Sequence, residues 1–260
     1  MKLNELAEKI ESFSPLILQE PWDHSGFQIR LGNPYLNKIL VALEITHAVI
    51  DEAIHRGVKI IVTHHPMLFS PITLVDNNNI IGNYIDRLVK ADISVYSSHT
   101  PFDKCEGGNN DYLGKLLHLN HLKRIVQDQS GFCRCGYVDG DCSILEYIDQ
   151  ISMWLKLDRR LISFTGNLAD KVKMVGLCSG AGSDFLEIAK EAGCDLFITG
   201  DVKYHTAQLA CEMGMNLLDI GHFGSEKIFT ENMSAKLRAC MEDDIEIIES
   251  KVDLNPFVIF

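Results

Sequence analysis

Gly57-Val-Lys-Ile-Ile-Val-Thr63-His64-His65-Pro66 is the stretch on which the reading of this chain turns. Its β-branched residues suit a buried strand. The glycine opens that strand, and the proline bars its ordinary continuation while favouring an extended backbone at His65. Upstream, Lys38-Ile-Leu-Val-Ala-Leu43 reads as a second strand, joined to the first through the helical pattern Ala48–His55. Strand, helix and strand in that order mark a βαβ unit and a parallel pair.

The pattern recurs. Lys173-Met-Val-Gly-Leu-Cys178 leads through a helical segment to Gly193-Cys-Asp-Leu-Phe-Ile-Thr199-Gly200-Asp201. Both copies run from glycine across five residues to threonine and then a polar pair. Each is followed, one helix later, by a strand ending in histidine: Ser94-Val-Tyr-Ser-Ser-His99 and Leu217-Leu-Asp-Ile-Gly-His222. Any two βαβ units share part of this pattern, so the repeat stands as an expectation. It predicts an α/β fold of two similar βαβ-based lobes with a metal site in the cleft between them. A short polar stretch, Asp128-Gln-Ser-Gly131, marks the break. Residues 1–128 then form the first lobe and 129–227 the second, with the segment 228–260 packing back on the first.

Open parallel sheets bind ligands beyond the carboxyl ends of their strands, and three such ends carry metal-grade side chains. Imidazole and carboxylate together suit borderline divalent cations such as zinc, manganese or iron. His64 and His65 are neighbours, so a regular strand would turn them to opposite faces; a strand end that bends can present both rings to two cations about 3.5–4 Å apart. In His99-Thr-Pro-Phe-Asp103 the carboxylate is the better ligand because it neutralises metal charge, and His99 is either a ligand or the orienter of one. In His222-Phe-Gly-Ser-Glu226 the i, i+4 spacing puts both groups on one face of a helical turn. The competing reading of each cluster is a structural histidine or a charge at a helix terminus.

Other motifs are softer. Asp201, Lys203 and His205 follow the second repeat and suit substrate contact or proton transfer. The turn Cys178-Ser-Gly-Ala-Gly-Ser183 can cradle an anion on backbone N–H groups or simply connect strand to helix. Trp22-Asp23-His24-Ser25-Gly26-Phe27 reads as a structural turn, with Asp23 or His24 reaching the cleft as the lesser alternative. His47, His55, His118 and His121 read as surface histidines.

Composition narrows the function. With 260 residues, 46% hydrophobic and 23% charged, the chain can bury a full core. A net charge of −12 argues against a sequence-independent grip on nucleic acid, though not against a nucleotide met through a metal. No run approaches the roughly 20 apolar residues of a membrane span, and the start lacks the apolar core of a signal peptide, so a cytoplasmic protein is expected. The eight cysteines show no Cys-x-x-Cys pair. Reduced thiols acting as small hydrophobes are expected, with a metal at Cys133, Cys135 and Cys142 as the lesser alternative.

The residues Trp22-Asp23 with Gly26, Thr63-His64-His65-Pro66 with Phe69, His99-Thr100 with Asp103, Gly108-Asn109, Thr199-Gly200-Asp201 with Lys203-Tyr204-His205, and Gly221-His222 with Glu226 occur in one order along nearly the whole chain. In this the sequence resembles the GTP cyclohydrolase I type 2 homologues, or NIF-three-like proteins. The resemblance implies two divalent cations per subunit. His64 and Asp103 would hold one, His65 and His222 the other, and Glu226 would bridge them, leaving His99 outside the ligand set. It also implies a homohexamer, in the short form without an inserted domain. The family usually has Asn-Val where this chain has His24-Ser25, and Asn-Leu where it has Pro101-Phe102. Both departures are expected to line the cleft and to bear on substrate identity.

Three functions follow as expectations. The first is a dinuclear metal-dependent hydrolase acting on a small molecule, with GTP cyclohydrolase-like opening of the guanine imidazole ring and formate release as the specific form. His205 or His99 would move protons, and Lys203 or the Ser179–Ser183 turn would hold phosphate. The second is a non-enzymatic metal-binding regulatory or scaffold protein. The third is a dinuclear phosphoesterase.

Overall fold

The computed structural model describes residues 1–241 and 244–258. The strands are β1 (Gly26–Ile29), β2 (Lys38–Ala42), β3 (Ile60–Thr63), β4 (Ser94–Ser97), β5 (Asn120–Arg124), β6 (Arg134–Ser143), β7 (Ser163–Thr165), β8 (Lys171–Leu177), β9 (Leu196–Thr199), β10 (Asn216–Asp219) and β11 (Glu246–Glu249). The helices are α1 (Leu3–Phe13), α2 (His47–Arg56), α3 (Ile80–Lys90), α4 (Thr100–Lys104), α5 (Asn109–Leu116), α6 (Ile144–Trp154), α7 (Leu186–Glu191), α8 (Tyr204–Met213), α9 (His222–Glu226) and α10 (Phe229–Cys240). Among the described residues no helix is long and apolar enough to cross a membrane.

The chain divides into two α/β units: Met1–Gly108 with Phe229–Leu254, and Asn109–Ile228 with Asn255 onward. The first holds a five-stranded sheet in the order β1-β4-β3-β2-β11. Its β4, β3, β2 and β11 run parallel, and β1 closes one edge antiparallel to β4. Strands β2 and β3 are almost wholly buried and correspondingly rich in Ile, Leu and Val, as expected of a sheet covered on both faces. Their connection is α2, capped by Thr46, whose side chain accepts from Val49 N–H at 3.2 Å, and ended by Gly57 in the left-handed region (φ 66°). Val49, Ile50 and Ala53 of that helix and Leu88 of α3 pack with Leu40, Ile61 and Val95 in one cluster.

The second unit holds a six-stranded sheet, β5-β6-β8-β9-β10-β7. Only β8, β9 and β10 are mutually parallel; β5, β6 and β7 pair antiparallel. Each unit thus contains a parallel three-strand core, β4-β3-β2 or β10-β9-β8, in which the middle strand ends on the threonine of the repeat, Thr63 or Thr199.

The break lies at Gly108, not at Asp128. Leu113, Leu117 and Leu119, from α5 and just beyond it, are packed with Ile144, Tyr147 and Ile151 in the core of the second unit, so the lobe boundary at 128 is corrected to 108. The polar stretch that suggested it is the turn between β5 and β6, where Asp128 accepts from Ser130 and Cys133 N–H groups at 2.9 and 2.7 Å. Likewise, the returning segment joins the first unit only as far as Leu254. Its contribution there is α10 and the strand β11, which pairs with β2 from Glu246↔Lys38 to Glu249↔Val41. Residues 242, 243, 259 and 260 of the expected returning segment lie outside the described residues.

Candidate metal centre

In the first unit β3 stops at Thr63, and the two following N–H groups, of His64 and His65, both donate to Leu43 O at 3.0 Å. That shared acceptor bends the chain out of strand alternation. Thr63 Oγ1 holds the bend by donating to His65 O at 3.0 Å. Both rings consequently reach one place, with centroids 5.0 Å apart. His99, the residue before α4, joins them: ligand-capable atoms of His64, His65 and His99 all lie within 4.8 Å of one another. His64 is fully buried, its ring covered by Phe229 at 5.0 Å between centroids.

The hydrogen bonds fix which nitrogen faces inward. His64 Nδ1 lies 3.1 Å from Ser98 O, and a carbonyl can only accept, so Nδ1 carries a proton and Nε2 is the ring nitrogen turned toward Asp103. That Nε2 stands 3.5 Å from Asp103 Oδ1. The gap exceeds an ordinary N–H···O bond, and it matches the separation of about 3.4 Å between two tetrahedral ligands each about 2.1 Å from one ion. Asp103 is buried in the single turn of α4.

His99 is oriented in the same way by a residue read chiefly as part of a turn. Its Nδ1 donates to Asp23 Oδ1 at 2.9 Å. Asp23 is buried and also accepts from Thr100 Oγ1 at 2.6 Å and Ser25 Oγ at 2.8 Å. Burial pushes the Asp23 carboxyl up, but the bonds from His99 and Thr100, the His99 charge and the Ser25 bond outweigh it and hold it well below the usual carboxylate range. Ser25 also accepts from His99 N–H at 3.0 Å. The His24-Ser25 departure therefore enters the setting of His99. The Pro101-Phe102 departure does not line a cleft, since Phe102 is fully buried between Phe13 and Phe229.

In the second unit His222 and Glu226 lie on one face of α9, with Nε2 2.9 Å from Oε2. His222 Nδ1 donates to Asp201 Oδ2 at 2.7 Å. The hydrogen bond to Glu226 is the main cause that raises the His222 pKa to about 10; burial opposes it, and Glu226's charge and the Asp201 bond add to it. The proton on Nε2 occupies the position a cation would take. Carboxylate–histidine pairs of this kind set ring orientation and basicity in metal sites.

The Ser179–Ser183 turn has a different task from the anion cradle considered above. Three of its N–H groups donate within the protein: Ser179 to Asn110 Oδ1 (2.7 Å), Gly180 to Ser225 Oγ (2.9 Å) and Gly182 to Thr199 Oγ1 (3.0 Å). What the turn provides is room, because a Cβ on Gly180 would run into Glu226 Oε1. Gly200 likewise admits backbone only, since a Cβ there would lie 2.6 Å from His222 N.

The structure thus groups His64, His65, His99 and Asp103 in the first unit, and Asp201, His222 and Glu226 in the second. Lys203 and His205, at the start of α8, are exposed. Sequence reasoning gave Asp23 chiefly to a turn, Ser25 to a cleft wall and Gly180 to an anion cradle or connecting turn; what it missed is that they order or make room for the metal-grade side chains. A mixed imidazole–carboxylate donor set with outer nitrogens already engaged fits divalent cations.

The model of the family Duf34/NIF3 (NGG1p interacting factor 3) matches residues 1–256. A Clostridium perfringens protein named GTP cyclohydrolase 1 type 2 homolog is 37% identical, with 99% of each chain covered. A Helicobacter pylori protein named GTP cyclohydrolase 1 type 2 is 31% identical, covering 87% of this chain and 88% of that one. Among solved structures, a Staphylococcus aureus protein described as hypothetical superposes with a TM-score of 0.92 at 25% identity, covering 100% of this chain and 99% of that one.

Proposed function

The chain belongs to the Duf34/NIF3 family, and from that premise we propose that it is a dinuclear metal-dependent hydrolase whose ligands are His64, His65, Asp103, His222 and Glu226. The observation that carries this reading is the pair His64 Nε2 and Asp103 Oδ1, 3.5 Å apart with the imidazole proton held on the far nitrogen by Ser98 O. An imidazole nitrogen and a carboxylate oxygen buried at that separation form a donor pair suited to a divalent cation. Two divalent cations, with zinc, manganese and iron as the candidates, supply Lewis-acid polarisation of the bond attacked and a water of lowered pKa.

The chain's own residues do the rest. Asp23 and Asp201 hold the rings of His99 and His222 through Nδ1, so neither ring must reorient when substrate arrives. His99, left outside the ligand set and backed by Asp23, moves the proton. Phe102 and Phe229 keep water from the buried side of His64. Lys203 and His205, exposed at the head of α8, complete the set for substrate contact and proton transfer, with Asp201 acting through His222. The substrate is a small molecule, and the relatives' names make GTP, opened at its imidazole ring with release of formate, the first to test. A cytoplasmic homohexamer completes the reading, checked by light scattering on the eluted protein.

The test is metal content per chain in protein purified without added metal, together with formate release from GTP. About two metals with formate supports the full reading. Two metals without formate keeps the centre and turns the search to phosphodiesters and other hydrolysable small molecules. Protein that holds no metal under any of the three cations sinks it.

A further inference from the structure

Beside His222 the second unit forms a half-open pocket of about 490 Å³, inside the roughly 300–1,000 Å³ range of small-molecule sites. His222 and Asp201 line one side of it. The His222 side chain keeps 36% exposure against 4% for Glu226, so solvent meets this ligand pair at the histidine. Phe223 and Phe257 supply apolar wall, and Lys156, Arg160 and Lys227 supply cations.

The carboxylates of the cavity are already engaged. Asp158 accepts from Arg160 Nε at 3.0 Å and Nη2 at 2.7 Å. Asp219 accepts from the N–H groups of Val202 and Gly221 at 2.9 and 2.8 Å, and Asp201 holds His222. The two lysines share one corner: Lys227 Nζ donates to the main-chain oxygen of Lys156 at 3.3 Å and stands 5.9 Å from the centre of the Phe223 ring.

Lys156 is also an unexpected residue for its backbone. It follows α6 in the left-handed region, φ 51°, where Leu157 N–H returns to Ser152 O at 2.8 Å. Glycine is the usual occupant of that helix-terminating position, and an L side chain there costs on the order of 1 kcal/mol. The fold alone would favour glycine.

We infer that this cavity seats the substrate of the metal centre, with Lys156 and Lys227 holding an oxyanion, phosphate or carboxylate, and Phe223 with Phe257 flanking its apolar or planar body. This assignment rests on the hydrolase reading above, because the cavity ends at a proposed ligand. It differs from the sequence expectation, which gave the anion to Lys203 or the Ser179–Ser183 turn.

The test is titration of phenyl phosphate, phenylacetate and phenol into the full-length protein, as purified and again after chelation, followed by calorimetry and by chemical shifts. Both anions are expected to bind at least about tenfold more tightly than phenol, the effect of one charge-assisted hydrogen bond, and their order says which oxyanion the site prefers. Lys156→Gly should lose about tenfold in anion affinity while melting at or above the wild-type temperature, since glycine relieves the left-handed residue. Lys156→Gly with Lys227→Met should lose about a hundredfold. Unchanged anion affinity in both variants, or no binding of any probe, overturns the assignment. Lysine-dependent binding in a protein that holds no metal would keep the cavity and sink the hydrolase. Metal-dependent turnover with lysine-independent binding would do the reverse.

Discussion

Gly180 carries a sharp constraint beside the His222–Glu226 pair. Its φ is 65°, and a Cβ would strike Glu226 Oε1 and stand 3.4 Å from His222 Nε2. Gly180→Ala should therefore lower metal affinity at least about tenfold, because the carboxylate must swing away, and should cost on the order of 1 kcal/mol from the backbone alone. Calorimetric metal titration beside thermal melting reads both; full wild-type affinity would refute the crowding. Asp201 offers a gentler probe. It is more than half exposed, and asparagine tolerates its φ of 54°. Asp201→Asn should leave the fold and the saturating metal count alone while weakening affinity about 10–100-fold, the usual loss when a histidine's carboxylate partner is removed. The raised pKa of His222 gives a pH signature. Its folded value of about 10 lies above the roughly 6.5 of the unfolded chain. Its bonds thus stabilise the metal-free fold fully below about pH 6.5, and that contribution is lost as pH rises through about 10. A cation must displace the Nε2 proton, so metal binding at about pH 8, where ordinary histidines are neutral, should release about one proton per chain from this residue. Calorimetry in buffers of different ionisation enthalpy measures it, and buffer-independent heats in both wild type and His222→Ala would count against the assignment. Histidines and acids were legible because their chemistry is carried by residue type. The roles of Gly180 and Asp23 were not, because one acts by lacking a side chain and the other by orienting a ring far away in sequence.

Among the elements, legibility followed burial. β2, β3, β8 and β9 are apolar through much of their length and were read as strands from that pattern. The strands that escaped are those without an apolar signature. β6 reads Arg-Cys-Gly-Tyr-Val-Asp-Gly-Asp-Cys-Ser, half-exposed along its second part with a register shift between Tyr137 and Cys142. β5 is almost wholly exposed. Such strands are held by ladder bonds to their neighbours, information that no local pattern contains. The short helices α4 and α9 span five residues each, less than two turns, too few to show a period. β11 is the instructive case, because the returning segment was expected but not its form. Its Ile247 and Ile248 are buried, and Ile248 packs in the first unit's core beside Leu40 and Val49. Ile248→Ala should cost about 2–4 kcal/mol, as for large-to-small changes in a core. Urea unfolding would show it as a lower midpoint with an unchanged slope. A loss under about 0.5 kcal/mol, the size of an ordinary surface substitution, would mean that β11 is not fastened as described.

For the molecule as a whole, the α/β class was legible from one motif and its echo, and the dividing point was not, because a polar hairpin turn and a polar linker look alike in sequence. The same long-range character makes metal binding a folding term. The proposed ligands run from His64 to Glu226, separated by most of the chain, and the native fold sets the tautomers and ring positions of His64 and His222 through Ser98 and Asp201. An unfolded chain offers isolated histidines and acids but not that arrangement, so cations bind the folded state preferentially and stabilise it. At a free metal concentration about 100 times the dissociation constant, one such site adds about 2.7 kcal/mol. In a chain of this size each 1 kcal/mol shifts the midpoint by about 2–4 °C. Stripping the metal should therefore lower the melting temperature by roughly 5–10 °C per site, and re-addition of zinc, manganese or iron should restore it in the order of their affinities. Glu226→Gln should remove most of that metal-dependent increment while changing the stripped protein far less. Scanning calorimetry of the two proteins, with chelator and with each cation, separates the terms. Identical melting of wild type with and without metal would show that these residues do not form a site the folded state prefers.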